Sequence, residues 1–478
     1  MFLTKINISF YFFIIISVFF HILFVRLHPV NLEELFLYAA ETLKSNGDLS
    51  FYFKYQGNTL LYSKILAFLS NIFFFLDLNI LSKLFVSSGY IFIGAGILSL
   101  KKNLSINNNY HIIYLSVILN PIIWNLGYRG TPDFISLAIG FLGMCVSLRK
   151  VNYLKFIGYF LIGFAIAMKP HSILFLIFLL LYNSFNARLN KKFLIENAFF
   201  FLFVCIVPLF FYINNYLSYN FILLNKLLQN DHSFTFKNIL PNLISYFGIL
   251  TIFCFPLFLK SLYDNLIKKN YKFISYIFYF LLIFLPLSFY LDFNGEIYLG
   301  FLSGYINKKF YLSLITAFSI ISIFFLHKFY LEGEKFDKTL SLSCFIYIFL
   351  LSFSRPSDRY LIFLIPFITI LYRSYFLQKK FLIFVLIFYT SISIVIFLNY
   401  FLTSKLTERI KYVILNENIE NITDMGALFP HAPVFKNKYG HPTNLEFKLL
   451  FNLVEKSQIN ECLKFFIFKK CYSIVKIR

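Results

Sequence analysis

The chain has 478 residues, of which 59% are hydrophobic, 22% aromatic and 14% charged, whereas soluble domains carry roughly 45–50% apolar and about 25% charged residues. A water-soluble globule of this size is excluded. The net charge of +22 would suit nucleic acid in a soluble protein, but the Lys and Arg residues stand singly or in pairs between apolar runs and form no basic stripe. That is the pattern of cytoplasmic anchoring charges, so membrane lipid, and not nucleic acid, is the expected surrounding.

A bilayer span needs about 20 mostly apolar residues. Such runs recur at 6–25, 79–100, 109–127, 132–148, 154–168, 172–186, 194–213, 239–259, 273–291, 310–326, 339–354, 360–376 and 381–401. They predict an all-α polytopic bundle of thirteen spans over residues 1–401, with a first outer loop at 27–78 and a small extracytoplasmic region at 402–478. The Lys/Arg bias sets the orientation. With the N-terminus inside, the inner loops hold 19 basic and 5 acidic residues (+14), the outer loops 13 and 10 (+3), and the tail 12 and 7 (+5), which together make the +22. The larger segments and the acids then lie outside, and the chemistry is expected there.

In chain order, the first candidates are Glu33 and Glu34, which follow the first span closely. A carboxylate just outside a span is where a general base meets a membrane-bound substrate; a solvated acid at a helix N-terminus is the plainer reading. The stretch 59–76 is apolar with Lys64 near its start and suits an amphipathic helix. Next, Asn120-Pro121 and Tyr128-Arg129-Gly130-Thr131-Pro132-Asp133 end one span and begin another, with Thr131 as N-cap and Pro132 in first helical position. Arg129 and Asp133 suit either a mutual salt bridge or an anionic head group.

Lys169-Pro170-His171 lies between two short spans, which places a cation in a protein-lined cavity where an anion or substrate must satisfy it. His171 is a candidate hydrogen-bond donor. Arg355 and Arg359, flanking Asp358, have the reach and the fork geometry for a phosphate, the alternative being a snorkelling pair. Asp292 and Glu296 are further outer carboxylates. No phosphate-cradling Gly-rich loop, Ser elbow or metal-ligand cluster is present in the sequence, so neither metal nor cofactor is expected. Cys145, Cys205, Cys254 and Cys344 lie in apolar runs as small hydrophobes. Cys462 and Cys471, nine apart in the polar tail, are either free thiols or, on an oxidising side, a disulfide.

Glu33-Glu34 after the first span, the Asn-Pro…Arg129-Gly130…Asp133 turn, the short spans around Lys169-Pro170-His171 and the late Arg355…Arg359-Tyr360 together resemble the GT-C superfamily of polytopic glycosyltransferases. The resemblance covers most of residues 1–400 through short motifs, and two Glu stand where the family usually shows Asp. It implies a base in the first outer loop (Glu33 or Glu34), a polyprenyl-phosphate sugar donor held by Lys169, Arg355 and Arg359, and substrate contacts from Arg129, Asp133, His171, Asp292 and Glu296. Within the superfamily, N-in/C-out topology and a long outer tail look like the serotype-converting glucosyltransferases of the bacterial inner membrane. These move a hexose to a lipid-linked glycan such as O-antigen on the periplasmic side. The competing readings are an O-antigen polymerase, which would place its largest loop centrally, and a transporter or flippase of lipid-linked sugars, which would show mid-span polar residues and repeat symmetry.

Overall fold

The fold is taken from a computed structural model, which describes residues 5–29, 32–47, 49, 52–53, 60–101, 110–149, 151–186, 191–219, 239–267, 275, 278, 282, 308–353, 357–416, 422–424, 457–465 and 468–476. Among the described residues, helix forms along the apolar runs. In chain order these are α1 Lys5–Ile22, α2 Leu32–Lys44, α3 Leu61–Ile72, α4 Leu78–Ser87, α5 Gly89–Leu100, α6 Tyr110–Ile118, α7 Pro121–Gly127, α8 Pro132–Ser147, α9 Asn152–Met168, α10 Ile173–Asn186, α11 Lys191–Tyr219, α12 Ile239–Phe253, α13 Phe255–Ile267, α14 Lys308–Glu332, α15 Lys335–Ser352, α16 Ile365–Leu371 and α17 Lys379–Asn416. Two 3-10 turns, Pro170–Ser172 and Asp358–Leu364, precede α10 and α16.

Among the described residues, four helices are long and apolar enough to cross a membrane: Leu78–Leu100, Asn197–Ser218, Leu314–Glu332 and Lys379–Arg409. Two more candidates are broken: α6 and α7 meet at 70°, and α12 and α13 at 88°. The continuous spans expected at 109–127 and 239–259 are therefore bent pairs. The run expected as a span at 360–376 is a 3-10 segment followed by the seven-residue α16. Each of these three runs holds a proline near its break, Pro121, Pro256 or Pro366, whose ring cannot sit on a preceding helical turn without losing a hydrogen bond. The run at 273–291 lies almost wholly outside the described residues.

Asn120 ties the two breaks together. Its side chain accepts from the Ile122 N–H at 3.2 Å, capping α7, and donates to the Phe253 carbonyl at 3.0 Å, where α12 ends. It is fully buried, so both groups would be orphaned without it. Asn120→Ala is expected to cost about 2–4 kcal/mol, the sum of a lost cap and an unsatisfied buried carbonyl. Thermal inactivation in detergent measures it; a variant as stable as wild type would show that the break holds itself.

α8 is the centre of the packing, lying against α9 on one side and α5 on the other. Its contact with α9 is backbone-close: a Cβ added to Gly143 would lie 2.7 Å from the Gly158 carbonyl. Small residues are the membrane solution to helix association, because lipid tails leave no hydrophobic gain for larger ones to add. Elsewhere α12 packs on α14, α10 on α15, and the long α17 crosses α7 and α13. Apolar side chains also cover the outside: Phe12, Phe74, Leu202, Phe210 and Ile387 are all exposed, as lipid contact requires.

The expectation of an all-α chain holds for the described residues through 416. Beyond it, strands β1 Ile422–Asp424, β2 Ser457–Phe465 and β3 Phe468–Lys476 form an antiparallel sheet in the order β1-β3-β2. The C-terminal region thus corrects the purely helical reading.

Candidate functional site

The site is assembled around the turn at residues 128–133. α7 stops at Gly127, and Thr131 is extended before Pro132 opens α8. The proline's fixed backbone torsion and missing N–H fit that first position. This turn aims the Gly130 amide to one side and the Asp133 carboxylate, in the first turn of α8, to the other.

On the first side lies Glu33, in the first turn of α2 and 1% exposed. The Gly130 N–H donates to its Oε1 at 2.7 Å. The Tyr400 hydroxyl, from α17, donates to Oε2 at 2.9 Å and lies 3.2 Å from Oε1. The guanidinium of Arg129 sits 4.9 Å from the centre of the Tyr400 ring, and the Lys83 ammonium 5.9 Å from it. Both cations are thereby held beside a buried carboxylate, which requires such partners to remain charged away from water. Lys83 also donates to the Leu27 carbonyl, as does the Asn79 side chain. Ser404, one turn beyond Tyr400, donates to the His28 carbonyl at 3.0 Å, so α17 clamps the segment that carries Glu33. Glu34 points elsewhere, 3.6 Å from His28 Nε2.

On the second side, Asp133 pairs with Lys169 at 3.0 Å, and both side chains are almost fully buried. The Arg129–Asp133 bridge, one of the two readings of that pair, is absent from the described ion pairs; Asp133 instead reaches a residue 36 positions away. Lys169 occupies the C-cap of α9, and its ammonium also lies 5.4 Å from the Tyr360 ring centre. The His171 ring stacks on Tyr360 at 3.8 Å and 17°, and its Nδ1 has no hydrogen-bond partner among the described residues. Arg359 donates to the Tyr360 hydroxyl at 3.0 Å and exerts a charge on Asp133. The Ser357 N–H donates to Tyr246, and Tyr347 to the Tyr360 carbonyl, fixing this turn.

The two halves adjoin. Tyr62 of α3, 1% exposed, lies within electrostatic reach of both Glu33 and Asp133, and its hydroxyl has no hydrogen-bond partner among the described residues. A small cleft beside them is lined by Ile122, Asn125, Leu126, Phe253, Ile396, Asp358 and Arg359. The arrangement therefore places a carboxylate, several cations and buried polar groups such as the Tyr62 hydroxyl and His171 Nδ1 within one region.

Of the residues that the sequence singles out, Glu33, Arg129, Asp133, Lys169, His171 and Arg359 fall in these two halves, with Glu34 beside them. Arg355, Asp292 and Glu296 lie outside the described residues. Sequence reasoning misses Lys83, Tyr400, Tyr62 and the role of Tyr360. Lys83 carries a legible signal, being a lone cation inside the apolar helix Leu78–Leu100, where ionisable residues are functional by default. Tyr400 carries none, as one of 34 tyrosines. Among the described residues no group of three or more His, Cys, Asp or Glu side chains is placed to hold a metal. Comparison with protein-family models, curated proteins and solved structures returns no match.

Proposed function

We propose that this chain is an integral-membrane glycosyltransferase of the GT-C kind, moving a hexose such as glucose from a polyprenyl-phosphate donor to a lipid-linked surface glycan such as O-antigen. In this reading it lies in the bacterial inner membrane with its N-terminus cytoplasmic, and works on the periplasmic side. The observation that supports it best is the adjacency of Glu33, held by Gly130 and Tyr400, to the Lys169–Arg359–His171 group around Tyr360.

The chemistry follows from that adjacency. Glu33 takes the proton of an acceptor hydroxyl as its oxygen attacks the anomeric carbon, and the bond from that carbon to the donor phosphate oxygen breaks. The sugar configuration inverts, and polyprenyl phosphate leaves with the electron pair. Lys169 gives one of its three N–H groups to Asp133 and keeps others for the departing phosphate; Arg359 adds a delocalised charge beside it. Preorganised charge of this kind is the largest single contribution in many enzymes. Arg355 belongs to the same turn in sequence and takes the bidentate phosphate role that the resemblance implies, with Asp292 and Glu296 as further acceptor contacts.

Glu33 and Asp133 sit in first helical turns and Lys169 at a C-cap, which supports chemistry at the ends of the helices, while Lys83 lies inside one. Tyr400→Phe removes one holder of Glu33 without changing its volume, and is expected to lower transfer about tenfold, equivalent to about 1.4 kcal/mol of transition-state positioning. An unchanged rate would show that Gly130 alone orients the carboxylate. The test of the function itself is the surface glycan with and without this protein. The expected difference is loss of a single hexose substituent at unchanged backbone length. Loss of polymer length would favour a polymerase, and loss of the whole glycan a flippase.

A further inference from the structure

The tail holds two of the six cysteines of the chain, and the ladder between β2 and β3 places them opposite one another: Cys462 pairs with Cys471 in the antiparallel register. Directly opposed residues in such a ladder have Cα atoms about 4.5 or 5.5 Å apart. Both values fall within the roughly 4.4–6.8 Å that a disulfide spans.

Other features of the hairpin leave its register weakly determined. The two residues between the strands, Phe466 and Ile467, include no Gly, Asn or Asp, the residues whose backbone preferences fix two-residue hairpin turns. Lys464 stands opposite Lys469, and like charges directly across a ladder are unfavourable. A slip by one residue would reverse every side chain of the strand. Two-stranded hairpins are marginal in water by themselves, and β1 adds only three residues to the far edge of β3.

We propose that Cys462 and Cys471 are joined by a cross-strand disulfide that locks the register of this hairpin. The two thiols lose two protons and two electrons as the S–S bond forms. The electrons pass by thiol–disulfide exchange to the disulfide of an extracytoplasmic dithiol oxidoreductase, which becomes a dithiol. The other four cysteines sit in the helices or at their breaks and are free thiols. The proposal rests on the orientation that places the tail on the oxidising side, and is independent of the transfer reaction.

Thiol counting on the full-length chain tests it. Membranes are dissolved in SDS with a polyethylene-glycol maleimide, with and without prior reduction. Four adducts are expected before reduction and six after, and Cys462→Ser is expected to give five adducts without reduction. Six adducts on the unreduced chain would overturn the proposal, as would a reducible dimer that disappears in Cys462→Ser. A reporter fused at residue 478 separates the two premises. Six free thiols with an extracytoplasmic reporter refute the cross-link itself, and six with a cytoplasmic reporter refute the orientation beneath it.

Discussion

Glu33→Gln is expected to lower sugar transfer by about 10²–10⁴-fold, the range that a positioned general base contributes, while the chain remains folded. The amide keeps the size of the carboxylate and still accepts from Gly130 and Tyr400, but it does not take a proton at neutral pH. The buried neighbours do see a change, since Lys83 loses the negative charge of Glu33, and a modest fall in thermal stability accompanies the loss of rate. Glu34→Gln is the control. Glu34 faces His28 and lies off the Gly130–Tyr400 pair, so its replacement is expected to change transfer by less than about tenfold. Initial rates with a labelled polyprenyl-phosphate sugar read both variants. The reverse ranking would move the base to Glu34, and full activity in both would remove the base from this loop.

The second large effect concerns Asp133 and Lys169. Their charges pair at 3.0 Å with little access to water. Removing one partner from such a pair costs about 3–5 kcal/mol, because the other charge is left buried without compensation. Lys169→Met is therefore expected to destabilise strongly and to abolish transfer. Asp133→Val combined with Lys169→Met removes both charges, and replacing a buried pair by well-packed hydrophobic residues of similar volume is often neutral for stability. The double variant is expected to regain most of the lost stability and none of the activity, since the cation beside Tyr360 is gone. A double-mutant cycle on unfolding in detergent, with transfer measured in parallel, checks this. Recovery of activity together with stability would mean that Lys169 serves the fold alone.

Much of the helical architecture is legible in the hydropathy pattern, because a run of 15 or more apolar residues has no other way to satisfy its backbone in lipid. The breaks are harder to read. Hydropathy averages over Pro121, Pro256 and Pro366, and proline alone is no sure sign: Pro208 sits inside the continuous helix α11. What distinguishes Pro121 is Asn120 before it, a buried amide that supplies both the cap and the tie to Phe253. The amphipathic stretch 59–76 does form a helix, α3, with Leu61, Tyr62 and Leu66 inside and Phe68 and Ile72 outside. The sheet in the tail goes unread because its hairpin lacks turn residues.

The site is legible to the extent that charged residues beside Gly and Pro at the ends of apolar runs gather in space. Their pairing is not. Asp133 has Arg129 one helical turn away in sequence and yet bonds Lys169, because the direction of a side chain at a helix start is set by how α8 packs on α9 and the turn at Pro170–Ser172. Tyr400 reaches Glu33 across 367 positions, a contact that only the crossing of α17 over the first loop creates.

The central claim is that a carboxylate in the first loop and a cation group around Tyr360 act together on a lipid-phosphate sugar. The most direct measurement is release of polyprenyl phosphate from a radiolabelled polyprenyl-phosphate hexose by the purified, reconstituted chain. The expected result is release that requires a lipid-linked glycan acceptor, moves the label onto that acceptor, and is lost in Glu33→Gln. Intact donor crossing the vesicle bilayer with no label transferred, or release unaffected by Glu33→Gln, would contradict the account.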